Sequence, residues 1–267
     1  MRAKVLGVLF LMLTLLALCV VLGLKVFLVR HVAVNGLVRW DPAVVEELAA
    51  LSMEESVFQV NFRQVRENIE ANPYFEVVYI GFSLPDTVVI ELRERQQSAA
   101  VQFGGETLIA DEDGFVLESR PALGDLRVPV VSGLELLGFE AGAKLEAAQP
   151  LQMDALRLLL LGLREEELLQ SVAEINLGNP SAMYLMTADG FTVELGNIEN
   201  LAKKLKWFGA AWAVLVSEGK TPGIITVSTG DAAYYRPAQE GGEGLDLLPD
   251  DSSGDEPPEG DAEPLAP

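Results

Sequence analysis

The chain has 267 residues, 49% of them hydrophobic and 22% charged, which suits one or two packed domains and excludes collagenous and wholly disordered classes. Forty acidic residues against 19 Lys and Arg give a formal net charge of −21, and this charge repels nucleic-acid phosphates, so we expect no nucleic-acid partner. The single cysteine, Cys19, cannot form an internal disulfide, and the single histidine, His31, excludes histidine-rich zinc sites and most Cys–His nucleophile pairs.

The amino end carries a long apolar segment. Val5–Leu24 has no charged residue over 20 positions, enough at about 1.5 Å each to cross a hydrocarbon core of about 30 Å. A cleaved signal peptide is the alternative, but its apolar run spans only about 7–15 residues, and no small-x-small cleavage site follows here. We predict residues 1–4 as a short amino end and 5–24 as a transmembrane helix. Basic residues flank both sides, so charge alone leaves the orientation open.

A β-α-α-β-β module is predicted beyond the span, from residue 29. Its first strand ends at the turn pair Asn35-Gly36. Asp41-Pro42 supplies a helix N-cap followed by proline at the first helical position, and Asn61 caps a second helix. That helix stops before Asn72-Pro73. Strands over 75–82 and 87–95 follow, the second with alternating apolar and polar residues typical of one buried face.

A larger region rich in β-strands extends from Val101 to Tyr235. Asp113-Gly114 and Asp189-Gly190 are hairpin signals. A helix is predicted over 151–163, with further strands over 172–177 and 183–188.

A long amphipathic helix is predicted next, because Ile198, Leu201, Leu205, Phe208, Trp212 and Leu215 form one apolar stripe. Lys203, Lys204 and Lys206 lie off that stripe, which indicates a helix packed on its own sheet with lysines in water. A basic docking face is the alternative. A final strand over 223–229 and an extended piece over 232–235 complete this region.

The carboxyl-terminal segment is strongly acidic. Residues 238–267 contain ten acidic residues, no basic one, and many Gly and Pro. Such a segment buries too little apolar area to offset its ordering entropy, so we predict a disordered tail over 237–267.

The sequence contains no evident catalytic residues. His31 has no serine or cysteine partner nearby, and we interpret it as structural or interfacial. Asp111 and Asp113 lead into a glycine turn, where aspartate is favoured for local hydrogen bonding. We therefore predict no enzyme activity, no cofactor and no metal site.

Several short motifs occur in a characteristic order. The first module holds Val32-Ala33-Val34-Asn35-Gly36, Asn72-Pro73-Tyr74-Phe75-Glu76-Val77, Leu84-Pro85-Asp86-Thr87-Val88-Val89-Ile90 and Glu94-Arg95. The second region holds motifs over 108–114, 128–133, 188–196 and 201–205. Their order and spacing resemble the FtsQ/DivIB family of bacterial cell-division proteins over about residues 5–236.

The resemblance implies an α+β fold: a single transmembrane helix, a POTRA domain (β-α-α-β-β) at 29–96, and a larger mixed α/β domain with an antiparallel sheet, the β domain, at 97–236. It also implies a cytoplasmic amino end and a single-pass protein of the cytoplasmic (inner) membrane at the division septum, with its domains outside. The implied function is a scaffold whose partners are small single-span coiled-coil proteins of the FtsB/DivIC and FtsL type, with other divisome proteins recruited through the POTRA domain.

The end of the β domain is the predicted partner site. A terminal strand can leave unpaired N–H and C=O groups that template a partner's strand, and tyrosines are enriched at interfaces. The candidate partner-binding residues are Ile224, Ile225, Thr226, Val227, Ser228, Thr229, Asp231, Ala232, Ala233, Tyr234 and Tyr235. The first strand of the POTRA module, 29–36, is a second candidate edge.

Two other functions fit parts of the sequence. Outer-membrane assembly and secretion factors also use POTRA modules, but they carry a large β-barrel for which too few residues follow the first module. A membrane-tethered hydrolase needs paired acids in a pocket, and no such pair is evident.

Overall fold

The computed structural model describes residues 7, 9–17, 26–53, 55–122, 124, 127–238 and 263–265. The chain divides into two units, Met1–Arg95 and Gln96–Pro267. Residues 9–17 are helical, and no helix within the described ranges is both long and apolar enough to cross a membrane. The rest of the predicted span, residues 5, 6, 8 and 18–24, lies outside the described residues.

The first unit has the predicted β-α-α-β-β order. Its elements are β1 (His31–Asn35), α1 (Pro42–Ala49), α2 (Phe62–Glu70), β2 (Phe75–Ser83) and β3 (Thr87–Glu94). The strand order is β1-β3-β2, with β1 parallel and β2 antiparallel to β3. β1 therefore lies at an edge of this sheet, as predicted.

Both predicted helix caps are confirmed. The Asp41 carboxylate accepts the Ala43 N–H at 2.9 Å, and the Asn61 side chain accepts the Gln64 N–H at 3.2 Å. The helices bury Val45 and Ile69 against the sheet core. Local capping chemistry thus fixes where each helix begins.

Glu94 joins the end of β3 to the loop after β1. Its buried carboxylate accepts the N–H groups of Val38 and Arg39, each at 2.8 Å. Burial alone raises the pKa of this carboxyl. The N–H donors of Arg39, Val38 and Trp40 and the charge of Arg39 together lower it by more, so the net pKa lies below its ordinary 4.5. The carboxylate is therefore stabilised in its charged form.

The second unit contains one large sheet, a small hairpin and two long helices. Its elements are β4 (Ala99–Phe103), β5 (Glu106–Ala110), β6 (Val116–Arg120), β7 (Val130–Ser132), β8 (Leu136–Gly138), β9 (Glu146–Ala147), α3 (Pro150–Glu165), β10 (Val172–Asn176), β11 (Met183–Thr187), β12 (Thr192–Gly196), α4 (Leu201–Ser217), β13 (Gly223–Thr226), β14 (Ala233–Pro237) and β15 (Glu263–Leu265). Both Asp-Gly pairs lie in hairpin turns, β5–β6 and β11–β12, as predicted.

The large sheet is mixed rather than purely antiparallel. Its order is β15-β14-β13-β12-β11-β10-β7-β4-β5-β6, and the pairs β4/β7, β7/β10 and β12/β13 are parallel. Parallel neighbours need a long crossover connection. Here α3 lies within the β7–β10 crossover, and α4 provides that between β12 and β13. The two helices bury Leu159, Leu205 and Phe208 in the same core as the inward faces of the strands.

Candidate functional site

The predicted partner site lies at one end of the large sheet. β13 and β14 are joined by a turn in which the Gly230 N–H donates to the Val227 C=O at 3.0 Å. Gly230 has φ +77°, a conformation that glycine adopts without steric cost. The turn reverses the chain, so β14 runs antiparallel to β13 on its outer side.

β13 is an interior strand. It pairs with β12 through Ile224, Ile225 and Thr226 and with β14 on its other side. The Thr226 hydroxyl also donates to the Glu194 carboxylate at 2.7 Å. Because its main chain is engaged on both sides, an incoming strand cannot pair with β13. Within the predicted stretch, β14 is the outer strand, and the three-residue strand β15 pairs with its far side.

The outer side of β14 presents few main-chain groups. The Ala238 N–H donates to the Pro222 C=O at 3.3 Å, and antiparallel pairing alternates along the strand, so Arg236 and Tyr234 direct their main chain toward β13. The N–H and C=O of Ala233 and Tyr235 therefore point away from β13, to the outer side of β14. Pro237, next in that series, has no N–H, which limits an added strand to residues near 233–235.

A short strand from the acidic tail lies on that outer side. Glu263–Leu265 forms β15 and pairs Ala233 with Leu265, Tyr234 with Pro264 and Tyr235 with Glu263. These three residues fall within the stretch expected to be disordered; residues 239–262 and 266–267 of that stretch lie outside the described residues. The Glu-Pro-Leu sequence is too short to show the alternation of apolar and polar residues that marks a strand. This strand was therefore not predictable from the sequence.

The two tyrosines of β14 have different roles. Tyr235 packs on Phe191 with ring centroids 6.3 Å apart, and its hydroxyl donates to the Thr221 C=O at 2.6 Å, so it fastens β14 to the sheet. Tyr234 lies on the opposite face and is 41% exposed. Of the two, Tyr234 is the side chain available to a partner.

Lys204 corrects the prediction that the helix lysines lie in water. It is only 1% exposed, and its ammonium donates to the Asn197 C=O at 2.8 Å and to the Asn197 side-chain oxygen at 3.2 Å. Burial lowers its pKa, and the charge of Glu199 partly opposes this. A signal existed, because position 204 lies three residues after the buried Leu201. The lysine fixes the loop before α4, beside the Gly230 turn that leads into β14.

The two aspartates considered for catalysis make structural contacts, and Asp113 pairs with Arg157 of α3 at 2.9 Å. The Asp111 carboxylate accepts the N–H groups of Asp113 at 2.9 Å and Phe115 at 2.8 Å, which is the turn chemistry expected from the sequence. His31 begins β1 and is exposed. Among the residues with a described position, no group of three metal-ligating side chains comes together.

The architecture defines a POTRA-type module followed by a larger β domain. Residues 27–95 match the family model "POTRA domain, FtsQ-type", and residues 99–228 match "Cell division protein FtsQ/DivIB, C-terminal". The chain belongs to the FtsQ/DivIB family of cell-division proteins.

Individual relatives are distant but extend over much of the chain. It is 24% identical to cell division protein DivIB of Clostridium botulinum strain Hall over 207 residues, 76% of this chain and 79% of the relative. Identity with FtsQ of Corynebacterium glutamicum is 23% over 207 residues, 74% of this chain and 86% of the relative. A solved extracytoplasmic domain of DivIB from Geobacillus stearothermophilus is 22% identical, with 46% of this chain and 96% of that chain covered and a TM-score of 0.30.

Proposed function

We propose that this division protein is a non-enzymatic scaffold of the septum that binds small single-span coiled-coil proteins of the FtsB/DivIC and FtsL type by strand addition to β14. Residues 5–24 anchor it in the cytoplasmic membrane, with both folded units outside. The observation that supports this most is that the outer main chain of Ala233 and Tyr235, beside the exposed Tyr234, is paired only with the three-residue strand β15 among the described residues. Main-chain bonds supply affinity in this mode, and alternate side chains supply specificity.

The partner's strand replaces β15 in this proposal. β15 covers only three residues of β14. Pro264 lies opposite Tyr234, so its nitrogen points away from β14, and the outer side of β15 lacks a donor there. The tail strand thus protects the sheet edge from unspecific pairing until a longer partner strand displaces it.

The first unit offers a second docking element. β1 is an edge strand, so recruitment of other divisome proteins through the POTRA domain can use the same main-chain chemistry. This contact does not involve β14, and the two docking events are separable by mutation.

A binding titration tests the proposal. The full chain, reconstituted in nanodiscs, is titrated with the extracytoplasmic segment of the FtsB/DivIC-type protein. Tyr234→Ala removes the cross-strand contact and is expected to weaken binding by about 1 kcal/mol, about fivefold. Tyr79→Ala is the matched control, because Tyr79 is a similarly exposed strand tyrosine (51%) in the first unit. Equal effects of the two variants, or no effect of Tyr234→Ala, would count against β14 as the site.

A further inference from the structure

Four phenylalanines form a continuous chain of rings at one end of the first unit. Ring centroids lie 5.4 Å apart for Phe27–Phe58, 5.3 Å for Phe58–Phe82 and 6.2 Å for Phe62–Phe82. The two middle rings are largely open to solvent: Phe58 is 57% exposed and Phe82 is 42% exposed. Val26 and Leu84 beside them are 49% and 55% exposed. We call Val26, Phe58, Phe82 and Leu84 the phenylalanine patch.

The patch lies where the chain enters the first unit. The Val57 N–H donates to the Phe27 C=O at 2.9 Å, which holds the loop bearing Phe58 against the entering chain. The Arg30 N–H donates to the Asp86 C=O at 2.9 Å, which brings the β2–β3 turn, with Leu84, to the same end. Three segments that are distant in sequence therefore present apolar side chains together. Contiguous exposed patches of this kind mark interaction sites.

The apolar segment 5–24 ends close to the patch in the sequence. Three residue steps separate Leu24 from Phe27, and a fully extended chain covers at most about 11 Å in that distance. The polar headgroup region on each side of the hydrocarbon core is about 5–8 Å thick. With Leu24 at the hydrocarbon boundary, Phe27 is held within or just above the headgroups. The end of the unit that carries Phe27 must then face the bilayer.

We propose that the phenylalanine patch inserts into the interfacial layer of the bilayer and seats the POTRA domain directly on the membrane surface. This inference rests on the proposed anchoring of residues 5–24. Insertion removes the exposed rings of Phe58 and Phe82 from water, which is favourable because apolar area is buried. The contact gives the domain a fixed orientation, so the β1 edge is presented at a constant height above the membrane.

Site-directed spin labelling of the full chain tests this contact. Cys19→Ser gives a cysteine-free background, and nitroxides are attached at Phe58→Cys or Leu84→Cys in nanodiscs of phosphatidylethanolamine and phosphatidylglycerol. Val38→Cys is the matched control, because Val38 is 75% exposed in the same unit. It follows β1, which runs away from Arg30, so it lies at the opposite end of the sheet. Leu13→Cys reports on the anchor itself.

The expected result is a ratio of oxygen to nickel-chelate collisions several-fold higher at positions 58 and 84 than at position 38, with position 13 deepest. Positions 58 and 84 lie in different segments, so a substitution that disturbs one segment does not affect both readings. Water-like values at 58 and 84 with a lipid-embedded position 13 would overturn the patch contact and leave the anchor intact. A water-like position 13 would overturn the anchoring and this inference with it. Shielding of position 58 from both reagents would mean that protein covers the patch, which also overturns the proposal.

Discussion

Removal of the acidic tail after Ala238 is expected to tighten partner binding. The outward side of β14 offers two residues, Ala233 and Tyr235, each with one N–H and one C=O, so β15 gains about four hydrogen bonds of about 1 kcal/mol each. The 25 residues 238–262 join the two strands, and closing a chain of that length costs about 3 kcal/mol. The balance of about 1 kcal/mol favours the paired tail in about five of six molecules.

In the proposed mechanism the partner binds only the molecules in which the edge is free, so its apparent affinity is reduced to that fraction of its intrinsic value. A chain ending at Ala238 should therefore bind the partner's extracytoplasmic segment about twofold to sixfold more tightly than the full chain in interferometry. A second variant lacking residues 239–250 keeps β15 but halves the connecting chain. It should bind more weakly, because closure becomes about 0.6 kcal/mol cheaper. Unchanged or weaker binding after full truncation would refute displacement of β15.

Three further predictions concern stability. Glu94→Ala should lower the free energy of unfolding of the first unit by about 1.5–3 kcal/mol in urea titrations, since the N–H groups of Val38 and Arg39 lose a charged acceptor. Because the pKa of Glu94 is lowered on folding, this difference should shrink as the pH falls below 4.5 and through the folded value. The pKa of Lys204 is lowered on folding, so its amine binds the proton more tightly in the unfolded chain than in the folded one. The free energy of unfolding of the wild type, measured relative to that of Lys204→Met, should therefore rise as the pH increases toward 10.5. A difference that does not change with pH would contradict the burial of the charge. Gly36→Ala should destabilise the first unit strongly in thermal unfolding, because φ is +92° and the new Cβ would overlap the Leu92 carbonyl oxygen, whereas Gly104→Ala, with open space around it, tests the φ cost alone.

Elements governed by local chemistry were predictable from the sequence. The caps at Asp41 and Asn61 and the hairpins at Asp113-Gly114 and Asp189-Gly190 each depend on a few neighbouring residues, and all four are where the sequence places them. The same applies to the β-α-α-β-β order of the first unit.

Features set by distant partners were not predictable. The interior position of β13 depends on the crossover through α4, which places it beside β12, and no local pattern specifies that pairing. The short strands β7 and β8 have too few residues for a period to show. Lys204 is a charged residue of a type usually found at the surface, but it occupies a buried position in the helix repeat. Its ammonium can be buried because Asn197 accepts its hydrogen bonds.

The most direct test of strand addition is hydrogen exchange on the full chain in nanodiscs, with and without the partner's extracytoplasmic segment. Displacement of the tail strand by the partner predicts slower exchange at Ala233 and Tyr235 together with faster exchange at Glu263 and Leu265, while β12 is unchanged. Protection that appears elsewhere in the chain, with no change at Ala233, Tyr235 or the tail strand, would contradict binding at β14.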